Sequence, residues 1–129
     1  MDLKNYFEKT AGLGILATAD SGGNVDLAIY SRPHFMEDNT MAFIMADSLS
    51  HRNLQSNPRA AYLFKEDGPG YKGLRLYIDK ISEEKNSPLI NELRRKKKSI
   101  EDAETKDRFL LHFKINDTRP LTGDLRINQ

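Results

Sequence analysis

No cysteine occurs among the 129 residues, which excludes disulfides, thiolate nucleophiles, iron–sulfur clusters and cysteine-based zinc sites. Tryptophan is absent as well. The three histidines, His34, His51 and His112, are far apart and lack the spacing of metal ligands, so no metal centre is expected. No stretch approaches the roughly 18 to 20 apolar residues that span a bilayer. An excess of one charge is missing too: 20 Lys and Arg stand against 19 Asp and Glu, for a net charge of +1. That balance gives no support for a nucleic-acid or acidic-membrane partner. Neither a GxGxxG turn after a strand nor a GxxxxGK[ST] phosphate loop is present, and nothing resembles a nucleophile elbow. The opening residues 1–9 have neither the apolar core nor the cleavage site of a signal peptide, so a cytoplasmic location is expected.

What remains is 38 % hydrophobic and 30 % charged residues, the balance of a soluble globular protein, expected as one domain over residues 1–129. Leu3, Tyr6 and Phe7 recur at helical spacing within residues 2–10. A first strand over 14–19 closes in the turn Asp20-Ser21-Gly22-Gly23-Asn24. In the second, Val25, Leu27 and Ile29 alternate with Asp26, Ala28 and Tyr30, the period of a strand with one buried face. Pro33 cannot donate to a ladder, so this strand should bend, bulge or lie at an edge there. A third strand is expected over Met41–Ala46 and a helix over Leu49–Ser56, capped by Ser48 and stopped before Pro58. Further strands are expected over 59–65, 74–79 and 109–115, with a helix begun by Ser87-Pro88 and running over 88–98. Six short strands, three short helices and tight turns predict a mainly β, six-stranded antiparallel barrel with short flanking helices. On so small a barrel, apolar strand surface such as Met41, Phe43 and Met45 is expected to need a cover, which a second subunit would provide.

The segment from Ser48 to Pro58 places two hydroxyls, the His51 imidazole and the Arg52 guanidinium in the first turn of a helix. Positive charge opposes the helix dipole there, whereas a phosphate at that end would be favoured by N–H groups and cations together. The alternative is that Ser48 caps, Leu54 packs inward, and His51 and Arg52 are solvated.

The ordered set of a strand bending at Arg32-Pro33, a strand Phe43-Ile44-Met45, a helix His51-Arg52-Asn53-Leu54 and then Asn57-Pro58-Arg59-Ala60-Ala61 resembles the pyridoxamine 5'-phosphate oxidase-like family of FMN-binding split barrels. The resemblance covers roughly residues 10–80, and the closing strand at 108–116 fits the sixth strand of that fold. It implies a homodimer with FMN at the subunit interface. Tyr30, Ser31, Arg32, Pro33 and His34 would border the isoalloxazine and ribityl chain. Phe43, Ile44 and Met45 would supply backbone and apolar contacts, and Ser50, His51 and Arg52 would hold the phosphate. Many family members carry Lys or Arg where this chain has Leu49 or Ser50, leaving His51, Arg52 or Arg32 as the charge. The expected function is a flavin-dependent oxidoreductase acting on a small molecule, with no residue assigned as catalytic. The alternative is a non-catalytic flavin- or haem-binding or sensor module of the same fold. With the chain ending at Gln129, the tail that completes the substrate site of true pyridoxamine 5'-phosphate oxidases has no counterpart, and that activity is not expected.

Three other features have two readings each. Arg94-Arg95-Lys96-Lys97-Lys98 is either a contact for nucleic acid, an acidic partner or a phosphorylated substrate, or a solvated helix end followed by the acidic stretch 101–104. Gly68-Pro69-Gly70-Tyr71-Lys72-Gly73 is either a mobile lid or a plain turn. Arg75 and Tyr77 share the strand face opposite Leu74 and Leu76, a face that in a dimer reaches the partner's flavin or is simply outward and polar.

Overall fold

A computed structural model describes residues 1–94 and 106–127. Helix α1 (Leu3–Lys9) is capped by the Asp2 side chain, which accepts from the Asn5 N–H. Strands β1 (Gly12–Ala19), β2 (Val25–Ile29), β3 (His34–Phe35) and β4 (Met41–Ala46) follow, then helix α2 (Leu49–Ser56). Strands β5 (Arg59–Glu66) and β6 (Gly73–Lys85), helix α3 (Leu89–Leu93) and strand β7 (Arg108–Pro120) complete the described chain. Of the basic run only Arg94 is described; residues 95–98, the acidic stretch 101–104 and the rest of the expected helix lie outside the described residues.

The strands form one seven-stranded sheet in the order β2-β1-β5-β6-β7-β4-β3, and every neighbouring pair is antiparallel. The mainly β architecture with short helices is therefore as the sequence predicts, with one more strand. That strand is β3. Pro33 lacks the N–H that would continue β2, so pairing stops and resumes as a two-residue bridge, His34 to Ala42 and Phe35 to Met41.

The sheet curls until its faces meet. Phe43 on β4 lies 5.0 Å from Tyr62 on β5, centroid to centroid, although β6 and β7 separate those strands in the ladder. Long β6 and β7 make this curvature possible, and β6 changes register against β7 at Tyr77/Ile78 and Lys80/Ser82. Leu16, Met41, Phe43, Met45, Tyr62, Phe64, Leu76 and Phe113 fill the interior, each at most 2 % exposed. Phe7 closes the barrel from α1, stacked 5.9 Å from Phe35 and edge-on to Phe64 at 5.1 Å. Its removal to Ala would cost about 3–5 kcal/mol, as for other buried aromatics.

Two expectations about apolar surface are corrected. Met41, Phe43 and Met45 need no cover from a partner, because the curled sheet and α1 already bury them. Val25, Leu27 and Ile29 are instead 82, 70 and 74 % exposed. The alternation is right and the faces are reversed: Asp26 and Ala28 stand opposite the buried Thr18 and Leu16, on the inner face. On the outer face, cross-strand pairing sets Ile29, Ile15, Leu63 and Arg75 in one row and Leu27, Ala17, Ala61 and Tyr77 in the next.

Candidate functional site

Helix α2 is short, and its neighbours hold it. The Ser48 hydroxyl accepts from the His51 N–H at 3.3 Å, the cap its position predicts. At the far end the Asn57 N–H donates to the Asn53 carbonyl at 3.0 Å, and the Asn57 side chain accepts from the Arg59 N–H at 3.1 Å, turning the chain across Pro58 into β5. The Asn53 amide donates to the Thr18 hydroxyl on β1 at 3.0 Å, fully buried. The Asn-Leu-x-x-Asn-Pro-Arg stretch thus fixes α2 to the sheet; its asparagines make structural contacts.

Three segments meet at Tyr30. Its ring packs edge-on against Phe43 at 5.9 Å, its hydroxyl lies 3.5 Å from the Ser48 hydroxyl, and its carbonyl accepts from the Tyr62 hydroxyl at 3.1 Å. The bend 30–33, strand β4 and the first turn of α2 are thereby brought together. Beyond Ala42, β4 has no strand partner among the described residues on the side away from β7, so the main chain of Phe43, Ile44, Met45 and Ala46 forms an open edge beside that turn. The Phe43 and Met45 side chains are core and Ile44 packs in a second apolar cluster with Ala42, Leu110 and Ile90. What these residues offer a ligand is backbone. Ser31 is exposed, Pro33 is buried, and His34 is half-buried on β3.

The cations expected at the site part company. Arg32 donates through Nη1 to the Phe7 and Thr10 carbonyls at 3.0 and 3.1 Å, closing the C-terminal end of α1. Arg75 donates to the carbonyls of Pro120 and Gly123 and to the Tyr77 hydroxyl, and so anchors the turn after β7 on the outer face. His51 is buried, its ring stacked on Phe109 at 3.8 Å and its Nε2 3.0 Å from the Glu83 carboxylate. Arg52 is exposed, and its guanidinium makes no hydrogen bond or ion pair among the described residues. Ser50 lies two positions before it, about 200° round the helix, and is buried. The first-turn N–H groups of Leu49 and Ser50 have no partner within α2, as at any helix start.

Glu83 is the residue that sequence reading missed. It lies in the polar second half of β6, where no alternation marks a strand. Its carboxylate accepts from Lys80 at 2.5 Å, from His51 at 3.0 Å and from Gln55 at 2.8 Å. Burial pushes the carboxyl up, but the hydrogen bonds from Lys80, His51 and Gln55 outweigh it and hold Glu83 at about 2. On the outer end of the sheet, Asp117 pairs with Arg119 at 2.9 Å, and the Arg119 guanidinium lies 5.8 Å over the Tyr77 ring. Tyr71 in the Gly68–Gly73 turn is 79 % exposed. His112 Nε2 donates to the Glu84 carboxylate at 2.7 Å. Among the described residues no three His, Asp or Glu side chains gather as for a metal ion, and no helix is long and apolar enough to cross a membrane.

No protein-family model matches the sequence, and no curated protein sequence does either. Solved structures do. An FMN-binding protein from Syntrophomonas wolfei superposes with a TM-score of 0.72 at 16 % identity, over 95 % of this chain and 86 % of its own. The fold is that of the FMN-binding split barrels. An F420 reductase superposes on this split barrel with a TM-score of 0.65 at 14 % identity, covering 89 % of this chain and 94 % of its own. A pyridoxamine 5'-phosphate oxidase-related, FMN-binding protein from Nostoc punctiforme gives 0.61 at 15 % identity, over 88 % of this chain and 76 % of its own.

Proposed function

We propose that this split barrel binds FMN as a homodimer and works as a flavin-dependent oxidoreductase on a small molecule. The observation that carries the reading is the first turn of α2. There an exposed cation without a partner among the described residues, Arg52, stands at a helix start beside the open main-chain edge of β4. A cation in that turn is unfavourable by some 0.3–1 kcal/mol unless an anion compensates it. A phosphate would receive the Leu49 and Ser50 N–H groups and the Arg52 guanidinium, a donor set that fits a dianion. The bend from Tyr30 to His34 and the Phe43–Met45 edge would border the flat ring, Tyr30 being held in place by Phe43 and Ser48. His51, Arg32 and Arg75 have structural partners and are not needed as phosphate ligands in this arrangement.

The likeness to the FMN-binding proteins of Syntrophomonas wolfei and Nostoc punctiforme supports the cofactor class. The exposed stripe of Val25, Leu27 and Ile29, continued by Ile15, Ala17, Ala61 and Leu63, supports the dimer, since so contiguous an apolar face is unusual on a monomer. When bound, FMN supplies hydride exchange at N5, while the protein binds, orients and shields it. Titration with FMN and with riboflavin, followed by flavin fluorescence, tests the site: FMN should bind more tightly, because riboflavin lacks the phosphate. Equal affinities would contradict it. Oxidation of NAD(P)H by the FMN-loaded protein, with a dye or oxygen as acceptor, tests the activity; a loaded protein that turns over no reductant would be a binding module.

A further inference from the structure

We propose that Glu83 is a positioning residue for the anion held at the first turn of α2, acting through His51. The proposal rests on the reading that this turn takes the flavin phosphate. His51 and Asn53 are two residues apart, about 200° round the helix, so they leave it on opposite sides. The Asn53 amide ties one side to Thr18 on β1, and the His51 imidazole ties the other to Glu83 on β6. Arg52 lies between them in angle, and the direction in which it projects is set by these two ties.

The hydrogen-bond count shows how firm the second tie is. The Gln55 amide nitrogen donates to the His51 carbonyl at 3.0 Å and to Glu83 Oε1 at 2.8 Å, which uses both of its protons. The same nitrogen also lies 3.2 Å from His51 Nε2; because an ionised carboxylate only accepts, His51 Nε2 carries the proton that reaches Glu83 Oε2 at 3.0 Å. Phe109 fixes the plane of the ring from β7, stacked within 19° of parallel. Lys80 neutralises the same carboxylate and also donates to the Leu54 carbonyl at 3.3 Å, so one cluster grips α2 near both ends. Burial on this scale is more than a solvated histidine at a helix start would show, with the side chains of His51 and Glu83 only 10 and 23 % exposed.

Two substitutions separate position from charge. Glu83→Gln removes the negative charge and presents an amide group to His51, while Glu83→Asp keeps the charge and shortens the reach. Both are titrated with FMN and with riboflavin beside the wild-type protein. A positioning role predicts that both weaken FMN about tenfold, the scale of one charged hydrogen bond, while riboflavin changes by less than about twofold. His51→Phe keeps a ring on Phe109 and loses the hydrogen bond; it should show the same selective loss, and it serves if the Glu83 variants fail to fold. Equal weakening of both flavins would make Glu83 merely structural and overturn the proposal. Tighter FMN binding in Glu83→Gln with no change in Glu83→Asp would make it an electrostatic effect and overturn it as well. Loss of the FMN preference in the wild type itself would instead overturn the phosphate reading, and the proposal with it.

Discussion

Each arginine at the candidate site is of the right type, yet only its partner decides its use. Arg32 and Arg75 both satisfy backbone carbonyls, of α1 and of the turn after β7, and Arg52 alone remains uncommitted among these three. Spacing along a chain does not reveal which carbonyl a five-donor fork will find, because those partners lie 22 to 48 residues away. Glycine shows the same limit. Gly14 stands where the Tyr62 ring crosses β1 to reach the Tyr30 carbonyl, and a Cβ there would overlap the Tyr62 hydroxyl. Gly14→Ala should therefore lower the unfolding free energy by about 1–3 kcal/mol through overpacking, measured by equilibrium urea denaturation. An unchanged midpoint would mean that the Tyr62 hydroxyl does not hold the bend.

At the scale of elements, caps and breakers were the most readable signals. Ser48, Pro58 and the Asp20–Asn24 turn place α2 and the β1–β2 hairpin where the structure has them, because each acts through its nearest neighbours. β6 was only half readable. Its first six residues alternate buried and half-buried, but the bulge at Lys80/Ser82 breaks the period and the remainder is polar. That polar half carries Glu83. Its depressed carboxyl sets a pH dependence whose sign is fixed: the folded value, about 2, lies below the ordinary 4.5. The stabilisation is fully present above about 4.5 and is lost as pH falls towards 2, since the unfolded chain then binds the proton first. Between pH 5 and pH 2 the wild type should lose about 1–2 kcal/mol more than Glu83→Gln, a figure reduced for the partial exposure of the carboxylate. Parallel stability curves for the two proteins would contradict this.

For the whole molecule, the sheet order could not be read from strand periods, and with it went the sense of inside. The alternation of Val25, Leu27 and Ile29 was plain in the sequence, but which face of β2 looks inward is set by its pairing to β1, and that places them on the surface. If this stripe is the dimer face, Leu27→Glu should convert a dimer at micromolar concentration into a monomer in sedimentation velocity, with the barrel still folded by circular dichroism. A wild-type monomer would remove the face from the account. The fold, the open β4 edge and the unclaimed guanidinium converge on one claim, that the α2 first turn holds a flavin phosphate. Arg52→Ala, titrated with FMN and riboflavin, tests it most directly. FMN binding should weaken by about 1–3 kcal/mol, the cost of a charged hydrogen bond, towards the affinity for riboflavin, which should itself stay unchanged. Equal losses for the two flavins, or no loss for either, would contradict it.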